Sequence, residues 1–149
     1  MEFVIIRVGY RGYGSAGTLV EDPRFKTYLD GATKAGLKVG VYFYTQAITT
    51  AEAKAEAKFV LDRIKGYSLQ MPVYYDIESV DYDTGRLDSA GLSKAQKTAL
   101  CTAFCDTIIK SGYSAGVYAN YTWLNYYIDG AGLGKKYPIW PVSYTHLRA

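Results

Sequence analysis

The sequence predicts an α/β fold, and three observations carry that prediction. Short β-branched apolar runs alternate with longer stretches of helical spacing along most of the 149 residues. A glycine closes each long helical stretch, at Gly36, Gly66 and Gly112. An internal echo, GLKVGVY at 36–42 and GYSAGVY at 112–118, shows a helix stop feeding a strand twice. Strands alternating with helices of about a dozen residues pair in parallel through right-handed crossovers. Repeats of this kind suit a barrel better than an open nucleotide-binding sheet.

The elements follow in order. Residues 3–8 (FVIIRV) form a run long enough for a buried strand and too short for a helix, ending in a Gly/Tyr/Arg loop. Helical spacing over 23–35 starts with Asp22 as N-cap and Pro23 at the first helical position, and stops at Gly36. Residues 39–44 (VGVYFY) make the second strand. The second helix spans about 50–65, with Thr49 and Glu52 at capping-box spacing. Residues 72–77 (PVYYDI) read as the third strand. Ser93 with Gln96 opens another helix by the same device, ending near Lys110. A strand at 115–119, a short aromatic helix around 121–128 and a last strand at 137–140 complete the pattern.

Composition bounds the function. With 49% hydrophobic and 21% charged residues, the chain suits one globular domain and excludes disorder, collagen and a small disulfide scaffold. A net charge of +3 without a run of like charges lacks the footprint of a nucleic-acid binder. No stretch reaches the length of a membrane span, and Met1 leads into Glu2 and an apolar strand, unlike a signal peptide. The single His, His146, excludes a multi-His metal site and weakens any mechanism needing a His base. Cys101 and Cys105 fall on an apolar helical stripe and read as core thiols. Carboxylates, Tyr, Lys or Arg are left to carry the chemistry.

Several motifs fail on context. Gly9, Gly12 and Gly14 follow a strand, but their spacing is G-x-x-G-x-G and the next helix starts too late for a dinucleotide site. Residues 112–116 match G-x-S-x-G, yet lie between a helix and a strand, where a nucleophile elbow lies between a strand and a helix. Asp81, Asp83 and Gly85 resemble a calcium loop with Gly one position early and Leu92 where Glu is needed. The constellation that survives is Asp76-Ile77-Glu78. Strand alternation puts Tyr74, Asp76 and Glu78 on one face and Val73, Tyr75 and Ile77 on the other. Neighbouring carboxylates compete for ionisation, so one pKa rises, which is the condition for a general acid near neutral pH. The spacing alone equally fits an Asp and a Glu that face water or cap a helix. Sixteen Tyr add context. Tyr42 with Tyr44, and Tyr118 with Asn120, share strand faces, and Trp140 lies on the last strand, an aromatic set suited to sugar rings. Tyr10, Tyr13, Tyr28, Tyr67, Tyr126 and Tyr127 read as core packing.

Taken in order, FVIIRVGYRGYG, GVYFYTQA, PVYYDIE, GVYAN followed by WL, and YPIW resemble successive motifs of the glycoside hydrolase family 25 lysozymes. The resemblance runs from Glu2 to about Trp140. It implies an irregular, TIM-like (β/α)5β3 barrel, incomplete here, and a muramidase that cuts the β-1,4 bond between N-acetylmuramic acid and N-acetylglucosamine in peptidoglycan. It implies Glu78 as general acid, Asp76 orienting the substrate's N-acetyl group or a water, and Tyr42, Tyr44, Tyr118 and Trp140 lining a saccharide groove. Arg7 would organise the carboxylate cluster. No cofactor or metal is implied, and the expected partner is the peptidoglycan glycan strand, met by an extracellular or wall-directed monomer. The family's earlier I-D-V-S strand is not in this sequence. Residues 1–140 are expected to be a partial catalytic domain. Residues 141–149, with Pro141 and the string SYTHLRA, are expected to be a non-native tail. A chain extended at both ends is expected to lyse peptidoglycan. The rivals are a non-catalytic saccharide-binding module, and an α/β enzyme acting on another acidic or sugar substrate.

Overall fold

A computed structural model describes residues 2–142. The first strand, β1 (Phe3–Arg11), runs three residues beyond the expected stretch. The supposed loop after it contains a short strand, β2 (Leu19–Glu21), which turns back antiparallel onto residues 9–11. Gly9 makes this close approach workable, because a Cβ there would lie 2.1 Å from the Val20 carbonyl oxygen. Helix α1 (Phe25–Lys34) begins two residues later than Pro23, after a turn in which Phe25 N donates to the Asp22 carbonyl. Asp22 Oδ1 accepts from the Arg24 amide while Oδ2 takes Arg7 Nε at 2.8 Å.

Strand β3 (Lys38–Tyr44) leads to α2 (Thr50–Ile64). Thr49 Oγ1 caps α2 by accepting from Glu52 N, as the spacing predicts. Glu52 does not reciprocate onto Thr49. It accepts from Ile48 N and grips the Arg86 guanidinium with both oxygens. Strand β4 (Val73–Asp76) is followed by a 3-10 turn (Asp81–Asp83), α3 (Arg86–Ser89) and α4 (Lys94–Lys110). Helix α4 opens on the full Ser93/Gln96 capping box. Strand β5 (Ala115–Asn120), a π-helical turn (Trp123–Tyr127), α5 (Gly130–Gly134) and β6 (Ile139–Val142) close the described chain. Strand β6 passes through Pro141, opposite Ala119, two residues beyond the expected end at Trp140. Pro is tolerated there because β6 is an outer strand of the sheet among the described residues. Residues 143–149, and with them the rest of the supposed tail and His146, lie outside the described residues.

The six strands form one sheet in the order β2-β1-β3-β4-β5-β6, parallel except for β2. One face carries the core. Val8, Val41, Phe43, Val73, Tyr75 and Val117 are fully buried there, against apolar residues of α2 and α4 such as Val60, Ile64 and Phe104. Phe104 stacks on Tyr75 at 4.2 Å between ring centroids. Cys101 and Cys105 are free thiols in this layer, and burial pushes the Cys101 thiol up to about 12. Four tyrosines assigned to the core are exposed instead. Tyr13, Tyr28, Tyr126 and Tyr127 stand at the surface, because turns and outward helix faces hold them, while Tyr10 and Tyr67 are partly buried.

Candidate active site

The opposite face of the sheet carries the polar chemistry, and parallel register explains why. Tyr44 lies opposite Asp76, Asp76 opposite Tyr118, and Tyr118 opposite Trp140. In-register neighbours share a face, so one lateral row across four strands holds three aromatic rings and a carboxyl group near the C-terminal strand ends. The row below it runs Arg7, Tyr42, Tyr74, Gly116. Glu78 is two residues past Asp76, and alternation returns it to the same side. The resulting pocket has a volume of about 320 Å³ and is lined by Ile5, Tyr42, Tyr74, Asp76, Glu78, Tyr118 and Trp140.

The echo of glycines gains a physical reason here. Gly40 and Gly116 each precede a pocket tyrosine by two residues and face the same side. A Cβ on Gly116 would meet the Tyr74 ring at 2.8 Å and the Pro138 carbonyl at 2.6 Å. One on Gly40 would meet Ile5 Cδ1 at 2.6 Å. Without these side chains, Tyr74 and Ile5 take the space that a methyl group would occupy. Trp140 then packs edge-on against Tyr74 at 5.3 Å and Tyr118 at 5.4 Å. Such contacts fix ring orientation and stabilise by about 0.5–1.5 kcal/mol each beyond burial.

Asp76 is the electrostatic centre. Its side chain is 5% exposed, and its Oδ1 makes no hydrogen bond. Burial holds its carboxyl well above the ordinary range, the Glu78 charge adds to this, and a hydrogen bond with Glu78 adds further. Asp76 is therefore a neutral carboxylic acid at neutral pH. The pair accordingly holds a proton on its buried member. The phenols around it respond to the same environment. Burial raises Tyr118, with Asp76 and Glu78 contributing, and burial raises Tyr42, with Arg7 opposing.

Two residues expected at the site sit off it. Arg7 does not reach the carboxylates. It pairs with Asp22, lies over the Tyr10 ring at 5.5 Å, and lines a neighbouring groove between β1 and α1. Tyr44, half-buried beside Asp76, is not among the residues lining the pocket. Burial raises its phenol first, then the charges of Glu78 and Asp76. Ile5 and Tyr74 line the pocket without having been proposed for it. Alternation back from Asp76 points to Tyr74, whereas Ile5 needs the β1–β3 register, which places it opposite Gly40.

Fold and site together define a class: a parallel-sheet α/β protein with an aromatic pocket and a carboxyl pair at its strand ends. The family model for glycosyl hydrolases family 25 matches residues 11–148, and the chain belongs to that family. It is 30% identical over 129 residues to the autolytic lysozyme of Clostridium acetobutylicum, covering 86% of this chain and 35% of that protein. The modular autolysin LytC from Streptococcus pneumoniae, solved in complex with a synthetic peptidoglycan ligand, superposes with a TM-score of 0.78 at 25% identity. That match covers 96% of this chain and 32% of LytC, so the chain spans about a third of both bacterial relatives. A family GH25 lysozyme from Aspergillus fumigatus superposes with a TM-score of 0.70 at 27% identity, over 96% of this chain and 66% of the fungal one.

Proposed function

We propose that this chain carries the catalytic pocket of a muramidase, cutting the β-1,4 bond between N-acetylmuramic acid and N-acetylglucosamine in peptidoglycan. The carrying observation is the buried, neutral Asp76 hydrogen-bonded to Glu78 on the floor of an aromatic pocket. Glu78, less buried than Asp76, acts as general acid by relay: it takes the proton that Asp76 holds through their hydrogen bond and passes it to the glycosidic oxygen as the bond to the leaving sugar breaks, which leaves Asp76 as the carboxylate. Asp76 supplies a fixed polar group beneath it. Its unpartnered Oδ1 accepts from the acetamido N–H of the bound sugar or from a water, and its shared proton follows the charge on Glu78. Tyr42, Tyr74, Tyr118 and Trp140 offer ring faces and edges to the C–H faces of sugars. Arg7, held by Asp22, steadies β1 at the edge of the cleft.

Further strands would close the sheet as an irregular (β/α)5β3 barrel acting on the cell wall as a monomer. The lytic names of the relatives support this reading, as does a pocket lined mainly by aromatic rings, which suits sugar rings. Among the described residues no helix is long and apolar enough to cross a membrane. Release of new reducing ends from peptidoglycan by the parent chain and by Glu78→Gln tests it. Equal rates would end the assignment of Glu78.

A further inference from the structure

Strand β4 stops between the two members of the carboxyl pair. Asp76 is its last residue, opposite Tyr118 on β5, with a carbonyl that accepts from Thr45 N at 3.1 Å. Glu78 lies in the irregular chain beyond the strand end, so the regular ladder does not set its backbone. Its two neighbours are fastened instead. On one side, Ile77 N donates to the Tyr118 carbonyl at 3.1 Å. On the other, Trp123 Nε1 donates to Ser79 Oγ at 3.0 Å. Bonds from β5 and from the π-helical turn after it thus bracket Glu78.

The indole is a rigid anchor for this purpose. Trp123 is buried, and its amide donates to Asn120 Oδ1 at 2.8 Å. Asn120 ends β5, two residues after Tyr118, so the anchor starts on a strand that lines the pocket. The Trp123 carbonyl accepts from Ile128 N at 2.9 Å, five residues on, which is the bond that winds the turn as a π-helix. Tyr127 packs edge-on against the ring at 5.3 Å, and the Lys97 ammonium lies 5.2 Å from its centroid. A buried indole N–H needs an acceptor, and Ser79 Oγ supplies it. Beyond Ser79 the loop closes on itself and on β3's end: Val80 N donates to Asp88 Oδ2, and Leu87 N donates to Gln46 Oε1. A Cβ on Gly85 would meet Val80 Cγ2 at 2.5 Å, so the closure is tight.

A group that passes a proton must be held to within about 0.5 Å and 10–20° of the productive geometry, and the neighbours' hydrogen bonds supply that on irregular backbone. We infer that the Trp123–Ser79 hydrogen bond is a positioning device for Glu78, fixing the backbone from which its carboxyl reaches Asp76 and the glycosidic oxygen. Neither Ser79 nor Trp123 lines the pocket, so both act through Glu78. The inference rests on the glycan-cleaving reading above and adds two positioning residues to it.

Initial rates of reducing-end release over a range of peptidoglycan concentrations test this, each protein being assayed well below its melting temperature. Ser79→Ala and Trp123→Phe are each expected to lower kcat by between about 5- and 50-fold, short of the roughly 100-fold that a 1 Å misplacement costs. KM should stay within about 2-fold, since substrate contacts are untouched. The double variant Ser79→Ala/Trp123→Phe should be no slower than the slower single, because one bond is removed once. Ser79→Thr keeps the hydroxyl and should restore kcat to within about 2-fold of the parent. Should Trp123→Phe fail to fold, Ser79→Ala against Ser79→Thr decides alone. An unchanged kcat in Ser79→Ala, equal losses in Ser79→Ala and Ser79→Thr, losses that multiply in the double variant, or a raised KM at constant kcat would each overturn the positioning role and leave the pocket's reading intact. A parent chain that releases no reducing ends overturns the glycan-cleaving reading, and the positioning role falls with it.

Discussion

Asp76→Asn is expected to stabilise the fold progressively as pH rises, at the cost of the proposed chemistry. In the parent, burial first and the Glu78 charge second keep the carboxyl at 76 protonated. In the unfolded chain the same group ionises near its ordinary value of roughly 3.9. Between those two values the native state binds one more proton than the unfolded state. Its contribution is therefore fully present below about pH 4 and is lost as pH climbs through the raised value. One proton corresponds to about 1.4 kcal/mol per pH unit, whatever the size of the shift. From pH 5 to pH 7 that sums to roughly 3 kcal/mol, a large part of the 5–15 kcal/mol that holds a typical domain folded. Asn has the same shape, carries no titrating proton and can donate to Glu78. Glu56, buried and pushed up to about 7 despite its bonds to Tyr75, Thr45 and Arg11, adds its own slope in this range. The decisive quantity is thus the difference between parent and variant. Urea denaturation at pH 5, 6 and 7 should show the variant's slope shallower by about 1.4 kcal/mol per unit. Parallel lines would refute a buried, neutral Asp76.

Two further substitutions probe the frame of the site. Gly116→Ala should cost about 1–3 kcal/mol and weaken sugar binding together, because the new methyl group meets the Tyr74 ring and the Pro138 carbonyl; unchanged denaturation midpoints would contradict this. Glu56→Ala should cost about 3–5 kcal/mol, since it leaves the buried Arg11 with only Glu52 at 3.7 Å as ion partner and removes the acceptor of the buried Tyr75 and Thr45 hydroxyls. Thermal melts read that loss, and a drop below about 1 kcal/mol would show that the pair carries little weight.

Much of this site was legible in one strand. Alternation alone placed Asp76 and Glu78 together because β4 is regular up to Asp76, and side-chain period needs no tertiary information. The lateral row was less accessible. That Tyr44, Asp76, Tyr118 and Trp140 align depends on which strands neighbour each other and in what register, which single-strand patterns do not encode. The Arg7 expectation failed for a related reason. Alternation put it on the correct face, but Asp22, brought close by the antiparallel return of β2, takes its guanidinium. That return was hidden because β2 has three residues and follows a Gly-rich stretch without strand periodicity. Tyr126 and Tyr127 were read with α-helical spacing, whereas the π-helical winding of 123–127 turns them outward. The raised carboxyl was expected from like-charge proximity. In the fold, burial is the larger cause, and it falls on Asp76, the member of the pair inside the strand.

Muropeptide release from purified peptidoglycan reads glycan cutting by the Asp76/Glu78 pair itself. The parent chain should generate new reducing ends, and Glu78→Gln should lower that rate by between about 100- and 10,000-fold with its melting temperature unchanged. Equal release by the two proteins would rule out Glu78 as the acid. So would glycan binding by the parent with no new reducing ends, which would make the pocket a saccharide-binding module.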